Sequence, residues 1–370
     1  MGIEVADILR ANDLEKIVPN AWQRRTLYAL SRCRTAAMGG HIDRCNHTGC
    51  GKLHLSYNSC RNRHCPKCQG HQREAWIQQR EAELLNVPYF HVVFTLPHHL
   101  NDLCPKHPKL LYGLLFKAAW KTMEGFADNP KFLGARTGMV AVLHTWGQNL
   151  SLHPHLHCIV PGGGVTASGK WKQAKNKGKY LFPVKAMGKV FRAKFLDALR
   201  KEGLLDECLR EKLTRKPWVI YAKRPFGHPS AVVEYLGRYT HKVAISNGRI
   251  RSMEGGNVSF SMKDYRKGAQ KTGCTLAQEE FIRRFALHIL PKGFVRIRHY
   301  GILSVTGKKK YLPLVRQQTG GAPIVQPRRP LLKGRCPHCK KGQLETVMTF
   351  DPRGPPRHWR DLLEKQQKQG

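Results

Sequence analysis

Between residues 45 and 68 the chain carries Cys45-x4-Cys50 and Cys60-x4-Cys65-x2-Cys68, five thiols in 24 residues, with Cys33 just upstream. His41, His47, His64 and His71 lie among them. Zinc takes four soft or borderline ligands in a tetrahedron, and short cysteine spacings supply such ligands in pairs from tight knuckles. Disulfides would need an oxidising compartment. The opening MGIEVADILRAND has acidic residues where a secretion signal wants basic ones, which favours metal.

The expected zinc site is Cys45, Cys50, Cys65 and Cys68, leaving Cys33, His41, Cys60 and His64 as a second four-ligand set. The gap NHTG between Cys45 and Cys50 is longer than in a plain CxxC knuckle, so the partition stays open. A saturated tetrahedron has no free position for chemistry, and zinc here is structural. Within CRNRHCPKC, Arg61, Arg63 and Lys67 would be held rigidly for phosphates. Cys336-x2-Cys339 is half a site, to be completed by His338, His358 or residues from elsewhere, or else a bare turn. Cys104, Cys158, Cys208 and Cys274 read as buried thiols.

Charge narrows the partner. Over 370 residues, 64 Lys+Arg stand against 25 Asp+Glu, a formal net charge of +39. Such an excess repels itself unless a polyanion neutralises it, and nucleic acid is the commonest polyanion. A 41% hydrophobic content is that of a folded chain, not a disordered one, and the length suggests two or three domains. No apolar run approaches the roughly 18 residues of a membrane span, so no membrane partner is expected.

Apolar periodicity predicts a helix over 72–85, a strand over 89–96 (YFHVVFTL) stopped by Pro97, and a helix over 108–126. Two more strands follow over 139–146 and 156–161, then a helix over 184–201 and a strand over 218–222. Ser230 is placed to cap a helix over 231–239. A β-meander is expected over 243–262, and Thr275 with Gln278 reads as a capping box for a helix ending at Pro291. The last strand covers 294–302. Strands and helices mix without strict alternation, which makes the chain α+β with a largely antiparallel sheet. The expected division is a helical and zinc-binding DNA-binding head over 1–86, a main α+β domain over 87–318, and a basic Pro/Gly-rich tail with the CxxC over 319–370.

His153-Pro154-His155-Leu156-His157 carries the chemistry. Residues two apart on a strand share a face, so His155 and His157 point one way and Leu156 the other. Converging imidazoles hold a divalent metal and leave coordination open for a substrate oxygen. A third ligand is expected from the neighbouring strand or hairpin: His144 or Gln148, with His153 behind them. The second constellation is Tyr235-x3-Tyr239-x2-Lys242, which on a helix sets both phenols on one face. A tyrosine with a pKa of about 10 becomes a useful nucleophile when the scissile phosphate is polarised by a metal, and Lys242 would add a positive charge there. The product would be a 5′-phosphotyrosine and a free 3′-OH, rejoinable without ATP. Arg296 and Arg298, two apart on the last strand, read as further phosphate contacts.

Three blocks in this order, FTLP (94–97), HPHLH and YLGRYTHK (235–242), resemble the two-tyrosine rolling-circle transposases with an HUH nuclease core, the insertion-sequence group numbered ninety-one. The cysteine-rich head and VRIRHYGIL (295–303) resemble that family as well. The resemblance implies an HUH-endonuclease palm, with a central antiparallel sheet flanked by helices and the histidines on a central strand. It also implies Mg or Mn as the working ion, single-stranded DNA at transposon ends and target as substrate, and a bacterial, cytoplasmic, nucleoid-associated setting. Self-association stays open. A plasmid rolling-circle initiator or relaxase shares this chemistry; a zinc protein without catalysis and a transposase built on acidic residues are the remaining alternatives.

Overall fold

A computed structural model describes residues 2–68, 77–175, 181–223, 226, 231–232, 242–264, 268, 270–322, 334–361 and 363. In chain order the head holds α1 (Val5–Arg10), α2 (Leu14–Ile17), α3 (Ala21–Ser31), β1 (Gly40–Cys45) and β2 (Leu53–Tyr57). Then come β3 (Tyr89–Thr95), α4 (Pro108–Asp128), β4 (Gly138–Trp146), β5 (Leu152–Pro161), β6 (Gly163–Val165), β7 (Trp171–Gln173), α5 (Val184–Lys201), α6 (Glu207–Thr214) and β8 (Ile220–Lys223). The remainder is β9 (Ile250–Glu254), β10 (Asn257–Asp264), β11 (Gln270–Ala277), α7 (Gln278–Leu287), β12 (Ile297–Gly301), α8 (Val305–Gln318) and β13 (Leu344–Phe350).

The centre is a five-stranded sheet ordered β12-β4-β5-β3-β8, antiparallel at every pairing, so the fold is α+β as expected. β5, with the histidines, is the middle strand. The β-branched and aromatic run of β3 suits a strand buried on both faces. Alternation then divides the faces. Val92, Phe94, Ala141, Leu143, Leu156 and Cys158 are buried in one core with Leu115 and Phe116 of α4 and Phe191 and Phe195 of α5. Phe94 meets Phe191 edge to face, with centroids 5.1 Å apart. On the other face Tyr89, Val140, Val142 and Ile159 share a core with Leu85, Ile302, Leu312 and Val315. That apolar cover stops short of His144, His155 and His157.

A third core joins Val5, Leu9 and Leu27 of the head to Val258, Phe260, Phe281 and Phe285 of β10 and α7. β13, in turn, pairs with β1. Contacts therefore run across 86/87 and 318/319, because the head's short helices and hairpin find their apolar and hydrogen-bonding partners far along the chain.

Four local expectations are corrected. The three-stranded sheet beyond 243 begins at Ile250, and its third strand is β11, not a strand near 243. Thr275 caps no helix: it lies in β11 with its Oγ1 2.8 Å from Ser259 Oγ, and α7 begins at Gln278 behind Ala277. The strand expected over 294–302 is β12, only Ile297–Gly301, and it is not the last, since β13 follows in the tail. Cys208 is exposed and Cys274 only partly buried. α8 was not expected; Ser304 caps it by accepting from Gly307 N–H at 3.0 Å, and it tolerates Pro313 because Leu312 and Val315 bury against the sheet. Of the expected helices over 72–85 and 231–239, residues 72–76 and 233–239 lie outside the described residues.

Phe94→Ala is expected to lower stability by about 3–5 kcal/mol, since a fully buried ring packed between the sheet and Phe191 leaves a cavity that close neighbours cannot fill. Equilibrium urea unfolding followed by tryptophan fluorescence measures it.

Candidate functional site

β4 and β5 run in register with His144 opposite His155 and Val142 opposite His157. Leu156 is fully buried on the opposite face, so His155 and His157 share one side of the sheet with His144. The ligand nitrogens of the three lie within 4.8 Å of one another. His155 Nε2 and His157 Nε2 are 3.1 Å apart. His155 Nδ1–H donates to the His153 carbonyl at 2.6 Å, which leaves its Nε2 with a lone pair. Burial drives the His155 imidazole down to about 4 and His157 lower still. Both rings are thus neutral at pH 7, and with the His157 proton on Nδ1 the two Nε2 lone pairs would face one another as a cation site requires.

His91 was missed in the sequence. It is buried on β3, with Nε2 2.9 Å from His157 Nδ1 and its ring stacked at 13° on that of His157. When His157 Nδ1–H donates to His91, Nε2 of His157 is the ligand atom, as is usual for a histidine oriented by an outer partner. The signal was available: position 91 has the same strand parity as Val93, which pairs with His157.

The imidazoles open into a cavity of about 690 Å³ also lined by Thr95, Trp146, Gln148, His153, Lys242 and Lys263. Of the three candidates for third ligand, His144 joins the cluster; Gln148 and His153 line the wall. Lys242 lines the rim, where desolvation together with Arg249 and Lys263 lowers its ammonium pKa. Tyr235 and Tyr239 lie outside the described residues.

Arg296 and Arg298 are not a joint phosphate contact. Arg296 is buried, donates through Nη2 to the Lys242 carbonyl at 2.8 Å and lies 5.4 Å from the Trp146 ring centre. Trp146 stacks on His144 with centroids 4.5 Å apart, so Arg296 braces the site from behind. The Arg298 guanidinium lies over Phe116 at 4.3 Å. Turning inward costs Arg296 its hydration, which lowers its pKa to about 9, and the Lys242 carbonyl and the Trp146 ring offset part of that cost.

The cysteines fall into two clusters, and the expected partition is corrected. Cys65 and Cys68 join Cys33 and Cys60; Cys45 and Cys50 join Cys336 and Cys339. Sulfur–sulfur separations are 3.5 Å for Cys33–Cys68, 3.7 Å for Cys60–Cys68 and 3.6 Å for Cys45–Cys339. A tetrahedron with zinc–sulfur bonds of about 2.3 Å has edges of about 3.8 Å, whereas a disulfide is about 2.05 Å. Both sets fit zinc. His41 instead faces the Asp43 carboxylate at 3.4 Å, and half-buried His64 accepts from Leu290 N–H at 3.4 Å. His338 is exposed, and His358 lies 3.8 Å from the Asp361 carboxylate.

Of the basic residues between the knuckles, Arg61 is exposed. Arg63 donates to the Phe294 and Pro291 carbonyls at 2.6 and 3.2 Å, docking the head, and Lys67 pairs with Glu4 at 2.5 Å.

Comparison with known proteins adds to this geometry. Residues 8–96 match the family described as "Transposase zinc-binding domain", and residues 138–310 match one described as "Putative transposase". The chain is 43% identical to "Putative transposase y4qJ" of Sinorhizobium fredii (strain NBRC 101917 / NGR234), over 97% of this chain and 98% of that protein. It is 29% identical to "Transposase for insertion sequence element IS801" of Pseudomonas savastanoi pv. phaseolicola, over 78% of this chain and 72% of the relative. No solved structure matches.

His288 fastens α7 beneath the site, accepting from Thr145 Oγ1 at 3.1 Å and donating to the Leu150 carbonyl at 3.0 Å. Burial lowers it to about 4, below the unfolded value of about 6.5. Between those values the unfolded chain binds the extra proton, so stability falls as pH drops from about 6.5 to about 4. His288→Gln is expected to flatten that part of the profile, read from urea midpoints at successive pH values.

Proposed function

The chain belongs to the IS91 family of transposases, and from that premise we propose that it nicks and rejoins single-stranded DNA through a 5′-phosphotyrosine link. The observation that carries this reading is the convergence of three imidazoles and Lys242 on one open cavity. As a transposase it acts on DNA, and a formal charge of +39 suits that partner. No helix among the described residues is long and apolar enough to cross a membrane.

His144, His155 and His157 would hold a divalent ion, with His91 fixing the tautomer of His157. Three nitrogen donors suit Mn better than the harder Mg, which prefers oxygen. Bound there, the ion would polarise the scissile phosphate and stabilise the departing 3′ oxygen. Lys242 would face the same phosphate from the rim. The phenol oxygen of Tyr235 or Tyr239 attacks phosphorus, the P–O3′ bond breaks, and the phenolic proton is balanced by that gained on the 3′-OH. Attack by a 3′-OH reverses the step, so the phosphodiester is exchanged and not hydrolysed. Two tyrosines hold one end while another is cut, as a rolling-circle-like route requires. Exposed Arg61 would contact the DNA backbone beside the head's zinc. An initiator or relaxase would use the same chemistry, but both relatives are named transposases.

A single-stranded oligonucleotide carrying the element's end, incubated with Mn or Mg, is expected to give a covalent protein–DNA band on a denaturing gel. His155→Ala or His157→Ala should abolish it as EDTA does, and Tyr235→Phe with Tyr239→Phe should abolish it outright. A band persisting in the double phenylalanine variant would place the nucleophile elsewhere and end this reading.

His91→Ala is expected to raise the Mn concentration needed for half-maximal cleavage about 10–100-fold, the usual effect of removing an outer partner. Activity at saturating Mn should recover largely; a uniform loss at all Mn concentrations would make His91 merely a packing residue.

A further inference from the structure

We propose that Cys45, Cys50, Cys336 and Cys339 form a second structural zinc site that clasps the C-terminal strand onto the N-terminal head. Neither family match reaches Cys336 or Cys339, which lie beyond residue 310. The four sulfurs lie within 4.8 Å of one another, with Cys50 and Cys336 3.8 Å apart, the edge of a zinc tetrahedron.

Both halves are built as knuckles. Cys50 N–H donates to the His47 carbonyl at 2.8 Å, and Lys340 N–H donates to the Cys336 carbonyl at 3.0 Å. Gly342 N–H donates to Cys339 Sγ at 3.3 Å, a bond that suits a thiolate ligand. Gly342 also marks the closeness of approach: a Cβ there would lie 2.4 Å from Cys45 Sγ and 2.7 Å from His47 Cβ. Asn46 completes the seam, its N–H donating to the Gln343 carbonyl at 2.9 Å and its Oδ1 accepting from Gln343 N–H at 2.8 Å.

The strand needs such a clasp. β13 pairs with β1 from Gly40↔Phe350 to Cys45↔Leu344, yet it has no buried residue, and Val347 is 38% exposed. β1 and β2 alone would be a two-stranded hairpin, marginal in water. A third strand that brings so little apolar surface adds backbone hydrogen bonds, each modest in net effect. A four-thiolate zinc site at one end of the ladder supplies the missing cross-link, joining residues 294 apart in sequence. The first cluster needs no such role, because Cys33, Cys65 and Cys68 are already packed in the head's apolar core.

The test uses full-length protein. Cys336→Ser with Cys339→Ser is expected to lower bound zinc by one ion per chain, measured by inductively coupled plasma mass spectrometry. After cobalt exchange, the thiolate-to-cobalt absorbance should fall by half, a signal to which the histidine site contributes nothing. Unchanged zinc and absorbance would overturn the proposal. Should the double variant fail to fold, a protease site placed within 323–333 of the otherwise native chain serves instead. After cleavage the 334–370 fragment should co-elute with the rest in zinc and separate on adding a chelator. A fragment that stays bound without metal, or separates with zinc present, would equally overturn it.

Discussion

The antiparallel pairing of β4 with β5 holds His144 opposite His155, and the candidate site depends on that register. A slip of one residue would turn both β5 histidines into the helix-covered core and bring Leu156 out. Burial on two sides forbids the slip. Leu143, Leu156 and Cys158 fill one core, while Val142 and Ile159 fill the other. The histidines occupy the end of the second face that α8 and the segment before β3 leave uncovered. The same packing that fixes the strands therefore exposes the imidazoles to the cavity and removes them from bulk water.

Much of the scaffold was legible because its elements have clear periods. The helix over 184–201 coincides with α5, and the strand near 89–96 with β3, where alternating apolar residues meet two cores. α8 was not legible: three consecutive lysines and Pro313 conceal an apolar stripe that only the sheet reveals. The meander was misplaced because its Gly/Asn turns resemble one another, and which pair closes a hairpin is decided by tertiary packing.

At the site, H-x-H parity was readable from spacing alone, whereas the third ligand was not, since the β4–β5 connection contains a register shift between His144 and Trp146. His91 escaped notice because a lone histidine in an apolar strand looks like packing until its partner is seen. Spacing identified which cysteines form knuckles but could not match one knuckle with another. Basic residues misled in a different way: Arg63 and Arg296 look like phosphate ligands in a chain this cationic, yet both guanidiniums donate inward to carbonyls. Desolvated arginine is stable only where such acceptors surround it.

The adjacency of β1 and β13 has a consequence for biogenesis. A ribosome extends the chain in one direction, so the hairpin of β1 and β2 emerges with one lateral edge unsatisfied and must wait for a strand translated some 300 residues later, Cys45 and Cys339 being 294 apart. Throughout that interval the head exposes backbone donors and acceptors to any neighbouring nascent polypeptide. The head is thus finished last although it is made first, and a prematurely terminated product would carry it with that edge still open.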